Sequence, residues 1–299
     1  MIKLNTAKLH DIILPNSNKA LAEVLKDVTP QKLAQLTQTK DLTSLLEGLF
    51  KGNIADDMQN ETLIELLKNN PTLKSLGNIK TTMQELLGVL KQQGTASELQ
   101  KSLESMLQNI KDIDPKTLQQ KLQNSGIFLE SKLKHASDAT LKDILSNDFK
   151  ALVLKTQADT PLPQLEKLAL QLDYYQLLSH LGNNSALFLP YNFEMLDEGN
   201  LTIKKAQQNS FFCDIELTLK KFGSLYVRVG LFEEQYLNIN LQTQSEQLKK
   251  DLLPHLQELR ENLQKAGIIV KGIRFLDNNK RNLYDTPLQD IDLGFEAKV

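Results

Sequence analysis

Residues 211–241 read FFCDIELTLKKFGSLYVRVGLFEEQYLNINL. Apolar and polar side chains alternate through most of this stretch, the period of two expected when successive residues of a strand point to opposite faces. Phe211, Cys213, Ile215, Leu217 and Leu219 share one face of a first strand, and Asp214, Glu216, Thr218 and Lys220 the other. The segment KKFGS turns the chain, with Gly223 able to take a positive φ. Pairing Leu219 with Leu225 then sets Leu217 opposite Val227, Ile215 opposite Val229, and Glu216 opposite Arg228. A second turn over Glu233 to Gln235 pairs Leu231 with Leu237, Val229 with Ile239, and Val227 with Leu241. Both registers keep the odd-numbered aliphatics on one face, and a one-residue slip would expose a row of them, so the pattern specifies the pairing.

Such a face needs cover, and SEQLKKDLLPHLQELRENLQKAG, from Ser245 to Gly267, supplies a helix. Ser245 caps it, Gly267 ends it, and Leu248, Leu252, Leu256, Leu259 and Leu263 recur at helical spacing. Pro254 is expected to kink this helix or mark its true start. A last strand from Ile268 completes a β-β-β-α-β unit with a right-handed crossover. Burial of about ten aliphatic side chains, at roughly 1.5 to 3 kcal/mol each, offsets much of the ordering entropy of such a unit.

Upstream the period changes. From about Lys19 to Gly182 the chain is a series of helical segments between short breakers. Ser97 caps a helix that carries Leu99, Leu103, Met106, Leu107 and Ile110 on one face. Asp114 and Pro115 open a second helix, and Thr160 to Pro163 a third, in which Leu165, Leu168, Leu172 and Tyr175 keep the spacing until Gly182. Weaker helical patterns cover Leu42–Phe50, Thr62–Lys68 and Met83–Lys91. The leucine stripes are read as intramolecular core, with a partner-binding groove as the alternative. At Ala186 the period becomes two, and ALFLPYNF and NLTIKKA read as strands joined by a turn through Asp197, Glu198 and Gly199. The expected fold class is α+β: a mostly helical, ruler-like region over 1–182, flexible to about Lys40; a small domain over 183–277 whose mainly antiparallel sheet packs on one long helix; and a tail over 278–299.

Composition narrows the function. The 299 residues balance 35 basic against 37 acidic groups, a net charge of -2, so no positive field draws the chain to nucleic acid or an anionic membrane. No stretch approaches the roughly 20 apolar residues that span a bilayer, and the N-terminal patch Ile12–Leu14 is too short for the core of a cleaved signal peptide. With no Trp and only 6% aromatic residues, an aromatic-lined ligand pocket is not expected.

Reagents are also scarce. The single Cys213 excludes an intramolecular disulfide and, lying in the apolar row, reads as an inert core thiol. His10, His135, His180 and His255 lie in separate segments without metal-ligand spacing, and His180 reads as a complement to a helix C-terminus. Asp214 and Glu216 could be imagined as a carboxylate pair, but a cross-strand ion pair between Glu216 and Arg228 is the stronger reading. No phosphate-binding loop or nucleophile elbow is present, and neither a cofactor nor a metal is expected. What stands out is the other sheet face, where Phe212, Tyr226, Phe232 and Tyr236 mix with Asp214, Thr218, Asn238 and Asn240, the composition of an interface.

Leu217, Leu219, Phe222, Gly223, Leu225, Val227 and Val229, followed by LQELRENLQKAGIIVKGI (256–273), resemble the C-terminal domain of flagellar hook-length control proteins. QNSGIFLESKL (123–133), NDFKALVLK (147–155), LDYYQLL (172–178) and LFLPYNF (187–193) are similar to short motifs that precede that domain in some members, so the resemblance spans roughly 123–276. Two departures stand within it: Lys221 lies where the family often has Pro, and Phe222 replaces Leu. The resemblance implies a non-enzymatic protein, cytoplasmic before export and then secreted through the flagellar type III apparatus without a cleaved signal. It implies a switch from hook to filament substrates through contact with the cytoplasmic domain of the export-gate switch protein, with hook and hook-cap subunits as further partners. The expected docking residues are Leu219, Phe222, Gly223, Leu225, Tyr226, Val227, Arg228 and Val229. A needle-length switch of a type III injectisome and a cytoplasmic helical adaptor or chaperone are the alternatives. Family rulers are often disordered, whereas this N-terminal half reads as helical; 120 residues reach about 400 Å extended but only about 180 Å as helix.

Overall fold

The computed structural model describes residues 18–26, 57–93, 97–182, 184–205 and 210–276. The helical pattern at Leu42–Phe50, the tail from Asn278 and all of the segment to Lys40 except 18–26 lie outside the described residues. The chain forms two compact units, divided between Lys204 and Lys205, and the fold class is α+β.

In the first unit the described helices are α1 (Lys19–Lys26), α2 (Asp57–Asn69), α3 (Pro71–Ser75), α4 (Ile79–Gln92) and α5 (Glu98–Met106). They continue as α6 (Pro115–Gln123), α7 (Leu129–Lys134), α8 (Asp138–Asn147), α9 (Phe149–Asp159) and α10 (Pro163–Leu181). Short polar side chains start many of them: Asn70, Asn78, Ser97, Asp114 and Asp148 each accept a first-turn N–H. These bonds satisfy donors that have no partner within the helix. Proline opens α3, α6 and α10, where its missing N–H costs nothing. Helix α5 ends at Met106, earlier than its apolar stripe suggests, because Asn109 accepts the Lys111 N–H at 3.1 Å and starts a separate 3-10 turn, Ile110–Asp112. Ile110 is thereby left 38% exposed.

Helix α10 is the axis of this unit. Its Leu165, Leu168 and Leu172 enter a main core with Met83 and Leu86 of α4, Leu99 and Leu103 of α5, and Phe149 and Val153 of α9. Its last turns supply Leu177 and Leu181 to a satellite core with Ala20, Leu21 and Val24 of α1, Leu63 and Leu67 of α2, and Leu73 of α3. A helix that serves two cores is enclosed on nearly every side: only Pro163 and Glu166 of α10 are exposed, and even its Gln171, Asp173 and Gln176 are buried. Strands β1 (Ser185–Phe188) and β2 (Leu196–Lys205) pair antiparallel, and Leu187 and Phe188 join the main core. This packing carries the first compact unit past the change of period at Ala186. The turn of this hairpin is not at Asp197–Gly199, which lies inside β2, but over 189–195. Pro190 has no N–H to give a ladder and ends the first strand.

The second unit contains β3 (Phe211–Leu219), β4 (Gly223–Phe232), β5 (Tyr236–Thr243), α11 (Glu246–Leu252), α12 (Leu256–Lys265) and β6 (Ile269–Phe275). Strands β3, β4 and β5 form two antiparallel hairpins, and β6 lies parallel to β5. The β4/β5 register is the expected one, Leu231 opposite Leu237. The β3/β4 register differs by two residues: Leu219 faces Gly223, Leu217 faces Leu225, and Asp214, not Glu216, faces Arg228. The reason is a tighter turn. Lys220–Phe222 close it in three residues because Gly223 takes φ +74°, the left-handed geometry that short hairpin loops require. A shift of two preserves both faces.

Pro254 interrupts the long helix as expected, and a 3-10 turn, Leu253–His255, separates α11 from α12. The cover it provides is partial. Leu248 is buried and Leu252, Leu256 and Leu263 are half-buried, but Leu259 is exposed. Beneath, Leu237, Ile239 and Leu241 of β5 are buried, while Ile215, Leu217, Val227 and Val229 of β3 and β4 remain half-buried. A helix about 10 to 12 Å across covers roughly two strands spaced about 4.8 Å apart, not four.

Candidate protein-docking face of the sheet

On the face that carries the even-numbered residues of β3 to β5, the registers place Asp214, Arg228, Asn240 and Arg274 in one row across four strands. Arg228 Nε donates to Asp214 Oδ1 at 2.6 Å and its Nη2 to Oδ2 at 2.9 Å, the two-pronged geometry that suits a planar guanidinium. Arg274 Nε donates to Asn240 Oδ1 at 3.0 Å. Asp214, Arg228 and Asn240 are buried, so the row is a fastened seam. Beside it, Phe212 and Phe232 meet edge to face, centroids 5.6 Å apart, across Gly230. A Cβ at Gly230 would lie 2.9 Å from Phe232 and 3.1 Å from Phe212, so only glycine leaves room for the two rings.

The remaining surface is mixed. Glu216, Tyr226 and Gln242 form the next row and are half-buried, and Thr218 and Ser224 are exposed. Toward the other end, the Lys271 ammonium sits 4.3 Å from the Tyr236 ring centroid. Of the residues expected to dock a partner, Leu219, Leu225 and Arg228 are buried. Phe222, Tyr226, Val227 and Val229 are half-buried and Gly223 is exposed. Alternation also divides them: Tyr226 and Arg228 lie on the seam face, Val227 and Val229 on the helix-covered face. Phe222 is in the β3–β4 turn, with the Lys221 ammonium 5.2 Å from its ring centroid. Asn240 is expected on this face, and the expected β4/β5 register already sets it opposite Arg228; Arg274, missed in the sequence, joins the row through the parallel pairing of β5 with β6.

The Cys213 thiol is pushed up to about 12, first by burial and then by the Asp214 carboxylate beside it. It stays protonated near neutral pH, which disfavours nucleophilic chemistry. Among the described residues, no three His, Cys, Asp or Glu side chains gather to hold a metal ion.

A second concentration of charge lies inside the first unit. Lys150 Nζ is 2.7 Å from Glu130 Oε1 and 2.7 Å from Asp173 Oδ1, and it also donates to Gln176, which donates to Glu130. Burial alone would push the Lys150 ammonium down, but the carboxylates of Asp173 and Glu130 outweigh it and hold its pKa above the usual value. Next to it, Asp148 caps α9 and accepts from Lys132 at 2.9 Å. Burial pushes its carboxyl up against the pull of that lysine. Gly126, at φ +93°, allows the approach: a Cβ there would lie 2.7 Å from Lys150 Cβ. The signal in sequence was Lys150 within the apolar run FKALVLK.

No curated protein and no solved structure matches the chain. The family model described as Flagellar hook-length control protein FliK matches residues 199–283, a span that takes in β3 to β6 whole. The similarity to the flagellar hook-length control protein family therefore falls on the second unit.

Proposed function

We propose that the chain controls hook length in the bacterial flagellum, leaves the cytoplasm through the flagellar type III apparatus, and switches export from hook to filament substrates by protein contact. The observation that supports this reading is the family match over residues 199–283, which takes in the sheet whose strands are joined by the buried Asp214–Arg228 seam. Its seam locks the strands while aromatic and polar side chains remain at its surface, so the unit is suited to being recognised and not to turning over a substrate. The role is non-enzymatic, and the partner is the cytoplasmic domain of the export-gate switch protein.

The docking residues are best sought at Phe222 and Tyr226. Arg228 is committed to Asp214, and reversing its charge would bury two like charges together. Deletion of the gene is expected to give over-long hooks without filaments, measured by electron microscopy; hooks of normal length with filaments attached would overturn the reading. Complementation with Phe222→Ala/Tyr226→Ala is expected to leave hooks over-long while circular dichroism shows a folded protein. Full rescue by that variant would place the contact elsewhere.

A further inference from the structure

Helix α1 is anchored to the first unit at a place separate from the main core. Ala20, Leu21 and Val24 are buried, but only in the satellite cluster with Leu63, Leu67, Leu73, Leu177 and Leu181. None of them enters the main core. Removal of α1 would therefore open a groove between α2, α3 and the end of α10 without uncovering Leu165, Leu168 or Leu172.

The polar half of the anchor has two points: Asn70 Nδ2, at the start of α3, donates to the Glu23 carbonyl of α1 at 3.2 Å, and the other contacts meet at Asp173, which is buried. Asn18 Nδ2 donates to the Asp173 carbonyl at 3.0 Å, and the Lys19 N–H donates to Asp173 Oδ2 at 2.8 Å. Asn18 Oδ1 accepts the Leu21 N–H at 2.9 Å, so the residue that caps α1 also ties it to α10. The other oxygen of Asp173 faces Lys150, which faces Glu130 of α7. A helix of eight residues is too short to persist alone in water, so α1 orders as it docks.

We propose that α1 is a detachable latch: the groove between α2, α3 and the end of α10 is a docking site for an amphipathic helix, filled in cis by α1. Asp173 connects its occupancy to the ion cluster between α7 and α9. Departure of α1 takes one N–H donor from the Asp173 carboxylate and another from its carbonyl, and bares Leu63, Leu67, Leu177 and Leu181, an apolar stripe of the kind that receives a helix face. Local opening below the free energy of global unfolding is how such elements are released. The inference stands independently of the hook-length reading.

Hydrogen exchange on the full chain tests it. Amides of 19–26 are expected to exchange about 100-fold faster than those of Leu165–Leu172, the signature of sub-global opening; equal rates would overturn the latch. In Leu21→Glu, protection at 19–26 should vanish while that of Leu165–Leu172 stays within about three-fold. Loss of both would show that α1 is integral to the core and would equally overturn it. Asn18→Ala, which leaves the ion cluster intact, should speed exchange at 19–26 by about ten-fold, the size of one lost capping bond; no change would remove Asn18 and Asp173 from the anchor. A labelled peptide of residues 18–26 should bind the Leu21→Glu chain saturably and at least about ten-fold tighter than wild type, whose groove is filled. Equal or absent binding would overturn the docking site.

Discussion

The main core of the first unit and the sheet of the second use similar aliphatic side chains to different ends. Leu168 and Phe149 are 0% exposed, enclosed by helices on several sides. Val227 and Val229 belong to a comparable apolar row yet stay half-buried, since one kinked helix covers only part of the four strands of the second unit. A helical layer surrounds its contacts, whereas a sheet with one helix keeps surface in reserve. The difference teaches that the first unit is stabilised by enclosure, whereas the second leaves one apolar face half-covered and fastens its strands with an ion-paired seam on the opposite face.

The sharpest way to break this contrast is to remove the cation from the buried cluster. Lys150→Met leaves Glu130 and Asp173 without their partner and should cost the first unit about 3 to 5 kcal/mol, read as a shifted urea transition by circular dichroism. The same group sets a pH dependence. Because its folded pKa is raised above the ordinary 10.5, its contribution is complete below that value and is lost as pH rises through the folded pKa. An alkaline titration should show this loss in wild type and not in Lys150→Met.

Next in size is the direct comparison of the two aliphatic sites. Leu168→Ala should destabilise by about 2 to 5 kcal/mol, whereas Val229→Ala should cost about 1 kcal/mol or less because part of its surface is already in water. Equal losses in urea unfolding would refute the difference in enclosure.

A smaller effect of opposite sign is expected at the β4–β5 turn. Glu233 and Glu234 take φ +49° and +61°, a left-handed pair that Asn-Gly adopts with less strain. Glu233→Asn/Glu234→Gly should raise the stability of the second unit by about 1 kcal/mol, measured by thermal melting. The smallest change should come from Leu259→Gln on the exposed side of α12: within about 0.5 kcal/mol, as for other surface positions. A large loss there would mean that the helix covers more of the sheet than its exposure indicates.

Much of the architecture was legible because it depends on near neighbours. Period two from Phe211 to Leu241, the turn at Gly223, the caps at Ser97 and Asp114, and the break at Pro254 are local matters of backbone geometry and hydrogen bonding. The β3/β4 register was not legible in full, since a shift of two residues leaves both faces unchanged and the turn length alone decides it. Among the eight residues expected to dock a partner, Leu219 to Val229, the sequence could not tell Phe222 and Tyr226 from Arg228; burial then divided them, because the exposure of a residue depends on what packs against it from distant parts of the chain.

The amino-acid sequence by itself determined the succession of helices and strands, the apolar faces, and the resemblance to a hook-length control domain. Only the tertiary structure decided that Arg228 is fastened to Asp214, that Lys150 is enclosed by two carboxylates from distant helices, and that the leucine-striped helix covers half its sheet. Periodicity is written in neighbours a few residues apart, whereas pairing and burial join groups tens of residues apart whose meeting depends on how whole elements pack.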